Sequence, residues 1–382
     1  MKILVIVHQI GGTASGIVSQ RVIDGLISQG HELVIITSQS SKSYENIMVY
    51  TLTPLLKLGG LMHRILNKIL RIVGMDVFNA NYIWRVRACL KISEVMRIWK
   101  PDCVYCRTSP IDPCYVGIWT KQKYDVPLVT NLTDPLPAPI EYLSDLKIRN
   151  KRKRAAREII IASDLISMGT LEAQKYQIQE VGIDFSEKAF ISPDPVPTGE
   201  IRHIPRSNKK NVELLYLGNV YGSRNINPLL EAISLMQEDG YLINFRICGS
   251  ITPRIEHDCL IIDNYVSDFD TKLTASDILI DIDGDDKLPM FISSKLKQYL
   301  VTNRPILSIT PFMSPSYKLL QGLDSVKVVS NNKSEIYQAI LHLIKQSNLF
   351  DYNDRIEIVD LLTPQKIVAD IISNITARVL NK

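Results

Sequence analysis

Two basic residues in the second half of the chain stand where strands give way to helices, and both suit the binding of phosphate. In the stretch from Phe291 to Ile309 the order of residue types predicts a short loop and a helix from about Ser294 to Val301. A turn at Thr302–Pro305 and a buried strand follow. Ser293, Ser294 and Lys295 then lie at a helix start, where free backbone N–H groups and the positive end of the helix favour an anion. Gln298 follows Lys295 by three residues and shares its helical face. An amide one turn behind a phosphate site can reach the sugar hydroxyls of a nucleotide. The same residues also describe an ordinary serine-capped helix.

The second basic residue is Arg224, in Leu217-Gly218-Asn219-Val220-Tyr221-Gly222-Ser223-Arg224-Asn225. Gly218 ends a predicted strand, and Arg224 sits at the mouth of the next helix. A guanidinium there can bind a diphosphate through two parallel bonds; the alternative is a solvated loop arginine.

Three further motifs are weighed by spacing. Gly11-Gly12-Thr-Ala-Ser-Gly16 is neither Gly-x-Gly-x-x-Gly nor a P-loop, because Ile17-Val18 stands where Lys-Ser/Thr should follow. Its glycines allow close approach of a ligand to the backbone, and equally a tight turn. Asp281-Ile-Asp283-Gly-Asp285-Asp286 looks like a cation site. However, its glycine is misplaced for a calcium loop and Ile292 stands where a bidentate Glu is needed. The expectation is an acidic, solvated loop. Cys103-Val-Tyr-Cys106 has the spacing of a redox or zinc half-site but no second ligand pair. In a strand, residues three apart point to opposite faces, so core cysteines are expected.

These residues need elements to hold them. Lys2–His8 reads as a buried strand, Gln9–Ser15 as a glycine loop, Gly16–Gln29 as an amphipathic helix ended by Gly30, and His31–Thr37 as a second strand. That βαβ unit predicts a parallel sheet with right-handed crossovers. Strands near Cys103–Cys106 and Leu128–Leu132 follow, with helices near Asn81–Trp99, Pro113–Lys123 and Leu146–Ala162. Pro193-Asp-Pro-Val-Pro197 and the polar stretch Arg202–Lys210 read as a linker. The alternation then restarts: strand Val212–Leu217, helix Asn227–Gln237, strand Asn244–Cys248 before Gly249, and strands at Leu260–Ile262, Ile278–Ile282, Ile306–Ile309 and Val326–Val329. A helix over Pro364–Leu380 closes the pattern. Two Rossmann-like domains facing across a cleft are expected. Their spans are 1–195, 196–360 and a terminal helix, 361–382, that packs back on the first.

The chain has 382 residues, 46% of them hydrophobic, with a formal net charge of +4. No run of about 20 uncharged apolar residues offers a membrane span. The apolar run at Met1–His8 is too short for a signal peptide. Residues 51–100 hold nine basic and two acidic residues. Within Leu55–Met75, Lys57, Arg64, Lys68 and Arg71 share one helical face, and Leu58, Met62, Ile65, Ile69 and Ile72 share another. Such a helix can lie on an anionic membrane surface, or pack on its own domain. Arg149–Arg154 adds a second basic run for phosphate headgroups or for solvent. No aromatic residues are interleaved with it, which argues against nucleic acid.

The ordered set of motifs resembles the family 4 retaining glycosyltransferases of GT-B fold, along essentially the full length. It comprises Lys2–His8 with Gly11-Gly12, Gly30-His31-Glu32, Lys100-Pro101-Asp102 and Asp134-Pro135. It continues with Gly218 and Arg224, Gly249, Ala275-Ser276-Asp277-Ile278, Ser294-Lys295-Leu296-Lys297-Gln298-Tyr299-Leu300 and Arg304-Pro305. The similarity is to members often found in bacterial surface-polysaccharide assembly. The resemblance implies a nucleotide-sugar donor on the second domain, with Arg224 and Lys295 on its diphosphate and position 298 on its ribose. Gly218, Asn219, Gly249, Ser293 and Ser294 complete the donor site. The resemblance also implies a glycan or lipid-linked acceptor on the first domain, no catalytic metal and no cofactor. It implies a cytoplasmic protein, peripheral at the inner face of the cell membrane. Asp134, at a strand end, would orient acceptor or sugar hydroxyls. Three positions depart from the pattern: Met290 and Gln298 replace the family's Glu-x7-Glu pair, and Asn219 replaces its basic residue. The Asp281-x-Asp283 pair is similar to the metal motif of the other major glycosyltransferase fold, which lacks two Rossmann halves.

The expected activity is therefore transfer of a sugar from a nucleotide-sugar to a glycan or lipid-linked acceptor. The alternatives are a sugar-nucleotide epimerase of the same fold and a non-catalytic docking subunit of a polysaccharide-assembly complex.

Overall fold

A computed structural model describes residues 1–53, 65, 82–197, 199–204, 211–263, 269–284, 289–346 and 349–381. The expected basic face at Lys57, Arg64, Lys68 and Arg71 lies outside the described residues, as do Asp285 and Asp286. The chain divides into two compact units, Met1–Pro195 with Pro364–Lys382, and Val196–Thr363.

In the first unit, β1 (Lys2–Ile6), α1 (Ala14–Ser28) and β2 (Glu32–Thr37) form the expected βαβ step. Then come β3 (Met48–Thr51), α2 (Tyr82–Val95), β4 (Cys103–Arg107), α3 (Asp112–Tyr124), β5 (Leu128–Leu132), α4 (Leu146–Ala162), β6 (Leu165–Met168), α5 (Leu171–Val181) and β7 (Ala189–Ile191). These seven strands form one parallel sheet in the order β3-β2-β1-β4-β5-β6-β7, and Gln9–Ile10 pairs separately with Gln39–Ser40. β1, β4 and β5 are near-continuous apolar runs because helices cover both faces of a parallel sheet. Cys103 and Cys106 are fully buried on β4, and burial pushes the Cys103 thiol up to about 12 and raises the Cys106 thiol well above its ordinary value. They are core thiols. Thr13 caps α1 by accepting the Gly16 N–H at 3.2 Å, and Gly30 takes φ +74° just past its end.

The segment that ends this unit is fastened by two buried arginines. Arg21 donates to the Pro195 carbonyl at 2.8 Å, and Arg107, at the end of β4, donates to Asp194 at 3.2 Å. Burial lowers the Arg21 guanidinium to about 10, against the pull of Asp194. The proline-rich run is thus not a loose tether over Asp194–Pro195 but a strap held by charge-assisted bonds.

In the second unit, β8 (Val212–Leu217), α6 (Asn227–Glu238), β9 (Ile243–Cys248), β10 (Leu260–Asp263), α7 (Phe269–Ala275), β11 (Ile278–Ile282), α8 (Ser294–Leu300), β12 (Ile306–Ile309), α9 (Pro315–Leu320), β13 (Val326–Val329), α10 (Lys333–Gln346) and α11 (Ile356–Leu361) follow in order. The strands are again parallel, in the order β10-β9-β8-β11-β12-β13. Both sheets reverse direction of growth beside their first strand. In open α/β sheets that switch point opens the ligand crevice at the strand C-termini.

The final helix α12 (Pro364–Ile375) belongs to the first unit and packs on α1. Gly25 makes the contact possible, since a Cβ there would stand 2.7 Å from the Pro364 carbonyl oxygen and 2.7 Å from Val368 Cγ2. Gly25→Val is therefore expected to lift α12 from α1. Overpacking of this kind costs about 1–3 kcal/mol. The check is a thermal melt lowered by several degrees, together with faster proteolysis within 364–382; an unchanged melt and cleavage pattern would refute the packing argument.

Candidate functional site

At the switch point of the second unit, β8 and β11 lie side by side and end in a set of buried charges. β8 ends at Gly218, whose φ of +123° a side chain would not tolerate easily. The space a side chain would fill there is taken by lysine: a Cβ on Gly218 would meet Lys295 Cδ at 3.4 Å and Nζ at 3.7 Å. Gly249, at the end of β9, lies closer still. A Cβ there would stand 2.2 Å from the Gly218 carbonyl oxygen. The two strand ends are tied by Gly218 N–H to Cys248 O at 2.9 Å and Val220 N–H to Ser250 O at 2.8 Å. Asn219 completes the tie, with Oδ1 accepting from Ser250 N–H at 2.9 Å. Its amide therefore shapes the loop.

Lys295 sits in the first turn of α8, and three contacts fix that helix. Ser293 is the N-cap, accepting from Leu296 N–H at 3.1 Å. Tyr299, one turn beyond Lys295 on the same face, accepts the Leu217 N–H through its hydroxyl at 3.0 Å. That bond clamps α8 to the end of β8 and carries Lys295 over Gly218. Beyond the helix, buried Arg355 donates to Thr302 O at 2.9 Å and Arg304 O at 2.8 Å, fixing the turn before β12. Arg304 is itself buried and bonded to Ser276 O at 2.8 Å, which gives it a structural role.

The half-buried Lys295 ammonium lies 4.9 Å from the Tyr216 ring centroid. Among the described residues, none accepts a hydrogen bond from it or pairs with it as an ion. Burial lowers its pKa, and the like charge of Arg224 adds to this; Asp281, Asp283 and Tyr221 pull the other way. Arg224 lies over the Tyr221 ring at 4.9 Å, and its Nε donates to the Ile282 carbonyl at 3.1 Å. The two cations thus converge on the end of β11, where desolvation makes each a stronger partner for an anion.

The Asp281–Asp283 run departs from expectation. Asp281 and Asp283 do not stand in an acidic, solvated loop. Asp281 is the fourth residue of β11 and is 0% exposed, and Asp283 continues the ladder through its N–H to Ile309 O at 2.9 Å. Asp281 accepts from Ser293 Oγ at 2.6 Å, and its second oxygen, Oδ2, has no hydrogen-bond partner. Asp283 accepts from Thr310 Oγ1 at 2.6 Å. The carboxylates balance the charge of Lys295 and Arg224. Among the described residues no group of three His, Cys, Asp or Glu gathers at metal-binding spacing.

The other expected site residues fall as follows. Ser294 and Gln298 are half-buried on α8, Gln298 one turn behind Lys295, while Met290 is buried. Asp134, Gly11 and Gly12 belong to the first unit. Asp134 is exposed just past β5. Gly11 and Gly12 have φ of +69° and +72°, and Gly11 donates its N–H to Gly16 O at 2.8 Å, so this loop is closed by its own bonds. Arg107, Tyr216 and Thr310 were not singled out from sequence, and Asp281 was singled out only as part of an acidic run. A carboxylate inside the apolar run Ile278-Leu-Ile-Asp281-Ile was the available signal, because a buried charge needs a partner.

Gly249→Ala tests the strand-end geometry. The added methyl would force apart the ends of β8 and β9, and the expected loss is about 1–3 kcal/mol of unfolding free energy in denaturant titration. A neutral effect would contradict the close approach.

No protein-family model matches this chain, and no curated protein sequence does. Solved structures do. The apo lipopolysaccharide outer core galactosyltransferase WaaB superposes with a TM-score of 0.61 at 14% identity, covering 99% of this chain and 100% of that one. HepE of Anabaena, in complex with UDP, gives 0.61 at 12% identity, covering 99% and 100%. Sucrose-phosphate synthase from Thermosynechococcus elongatus gives 0.65 at 9% identity, covering 100% of both chains. With two parallel-sheet Rossmann-like units and these full-length superpositions, the chain has the GT-B fold.

Proposed function

We propose that this protein is a glycosyltransferase that moves a sugar from a nucleotide-sugar to a glycan or lipid-linked acceptor in surface-polysaccharide synthesis, as a family 4 enzyme. One observation carries the reading. Lys295 is held by a helix clamp against Gly218 at the switch point, beside Arg224, and its ammonium bonds to no described residue. A diphosphate would supply the missing acceptors. The likeness in fold to a UDP-bound HepE supports the same ligand class.

In this reading the second unit holds the donor. Lys295 and Arg224 stabilise the departing nucleoside diphosphate as negative charge builds on it, and Gly218 and Gly249 let its oxygens approach the backbone. Gln298 reaches the ribose with an amide, a weaker partner than a carboxylate. The acceptor hydroxyl bonds to the anomeric carbon as the carbon–oxygen bond to the diphosphate breaks. The attack comes on the face that the diphosphate leaves, and the departing diphosphate oxygen takes the acceptor proton, which gives retention without an enzyme nucleophile or a metal. The acceptor is assigned to the first unit, with Asp134 orienting hydroxyls.

A peripheral position at the cytoplasmic face of a membrane has some support in the first unit. The start of α4 exposes Leu146 and Ile148 beside Lys147 and Lys151, a pattern suited to an anionic lipid surface. Among the described residues, no helix is long and apolar enough to cross a membrane.

Arg224→Ala and Lys295→Ala are each expected to weaken nucleoside diphosphate binding by about tenfold or more, as charge-assisted bonds to a desolvated anion are lost. Calorimetry checks this, and unchanged affinity in both variants would end the assignment. Lys295→Met should leave the ligand-free melting temperature unchanged or raise it. A charged lysine with a lowered pKa costs stability below that pKa, and the cost fades as pH rises through it. A nucleotide-sugar converted without acceptor would mark an epimerase instead, and membrane binding without donor binding would mark a docking subunit.

A further inference from the structure

The carboxylates at the end of β11 have a consequence for how the site takes an anion. They lie two residues apart on one face of the strand, and Arg224 bonds the carbonyl of Ile282 between them. Asp281 is wholly buried with one oxygen unpartnered, a costly position for a carboxylate. Around Asp283 stand Arg224 from the loop before α6, Lys295 from α8 and Tyr216 from β8. Asp281 on β11, Thr310 after β12 and Ser316 on α9 complete the shell.

We propose that Asp283 is the proton-accepting member of the donor site: a diphosphate bound at Lys295 and Arg224 displaces its charge, and the site takes up one proton on Asp283 as it binds. The proposal rests on the diphosphate reading above and deepens it. In the ligand-free site two cations face two carboxylates. A nucleotide-sugar adds two negative charges beside the same cations, and the carboxylate left without a counter-charge must then be neutralised or repel the ligand. Asp283 is the member able to do so. Burial first, and then Asp281, push its carboxyl up to about 7, while Thr310, Ser316 and Arg224 hold it back. The group is therefore mostly ionised at pH 8 in the free protein and is poised to protonate when further negative charge arrives.

Linkage fixes the sign. A ligand that binds with proton uptake binds more tightly at low pH. Affinity should be nearly flat below pH 6 and fall by about three- to tenfold per pH unit between 7.5 and 8.5. The diphosphate of a nucleotide-sugar carries no group that titrates in this window, so the proton balance belongs to the protein.

The test is calorimetry of the full chain with UDP-glucose, UDP-galactose and GDP-mannose. Titrations run at pH 6.0 and 8.0, and at pH 8.0 in HEPES and in Tris, whose ionisation heats differ. The expected result is an uptake of between half a proton and one proton at pH 8.0, abolished in Asp283→Asn, whose affinity no longer changes with pH. Buffer-independent heats in the wild type would overturn the proposal while leaving the diphosphate site standing. Uptake that persists in Asp283→Asn would assign the proton to Lys295 and overturn it equally. Failure of all three nucleotide-sugars to bind at pH 6.0 would overturn the reading of the site and the proposal together.

Discussion

The bond from Leu217 N–H to the Tyr299 hydroxyl is the contact on which the site depends. Helix α8 is short, and little in its own sequence fixes its rotation. The tyrosine ties it to the end of a neighbouring strand, and the turn after it is gripped by Arg355 and Arg304. With the helix held there, Lys295 has one place to go, along the face of Tyr216 and into the space left by the missing side chain of Gly218. A lysine in water would keep its proton and its freedom. Here it loses hydration without a hydrogen-bond acceptor among the described residues, which stores affinity for an anion.

That arrangement would be unstable without opposing charge, and β11 supplies it. Asp281 is anchored by Ser293, the same residue that caps α8, so one hydroxyl couples the helix start to the buried carboxylate. The cations and carboxylates form a single electrostatic unit. Its members are coupled through space, so effects of substitution within the set should not add.

Much of the fold was legible because buried parallel strands write themselves as apolar runs. β4, β5 and every strand from β8 to β13 fall within one or two residues of where those runs begin and end. β3 was missed because Met48–Thr51 is only partly buried and its residues lack an apolar run. β6 and β7 are short, and β7 runs straight into the proline-rich segment that drew attention as a linker. The site was legible in its cations, which stand at strand-to-helix junctions. It was not legible in its carboxylates. Asp281 and Asp283 lead into a run of acidic residues, and composition there outweighed the strand pattern that placed the first of them indoors. Asn219 shows a limit of another kind, since no local pattern reveals that its amide is spent on Ser250 N–H.

The path of the backbone between the two units has an outcome for biosynthesis. The groove on α1 at Gly25 is covered by α12, yet all of the second unit lies between them in the chain. At roughly 5–20 residues per second, translation leaves that groove bare for about 10–30 s. The first unit therefore carries that helix face uncovered until the second unit has been synthesised.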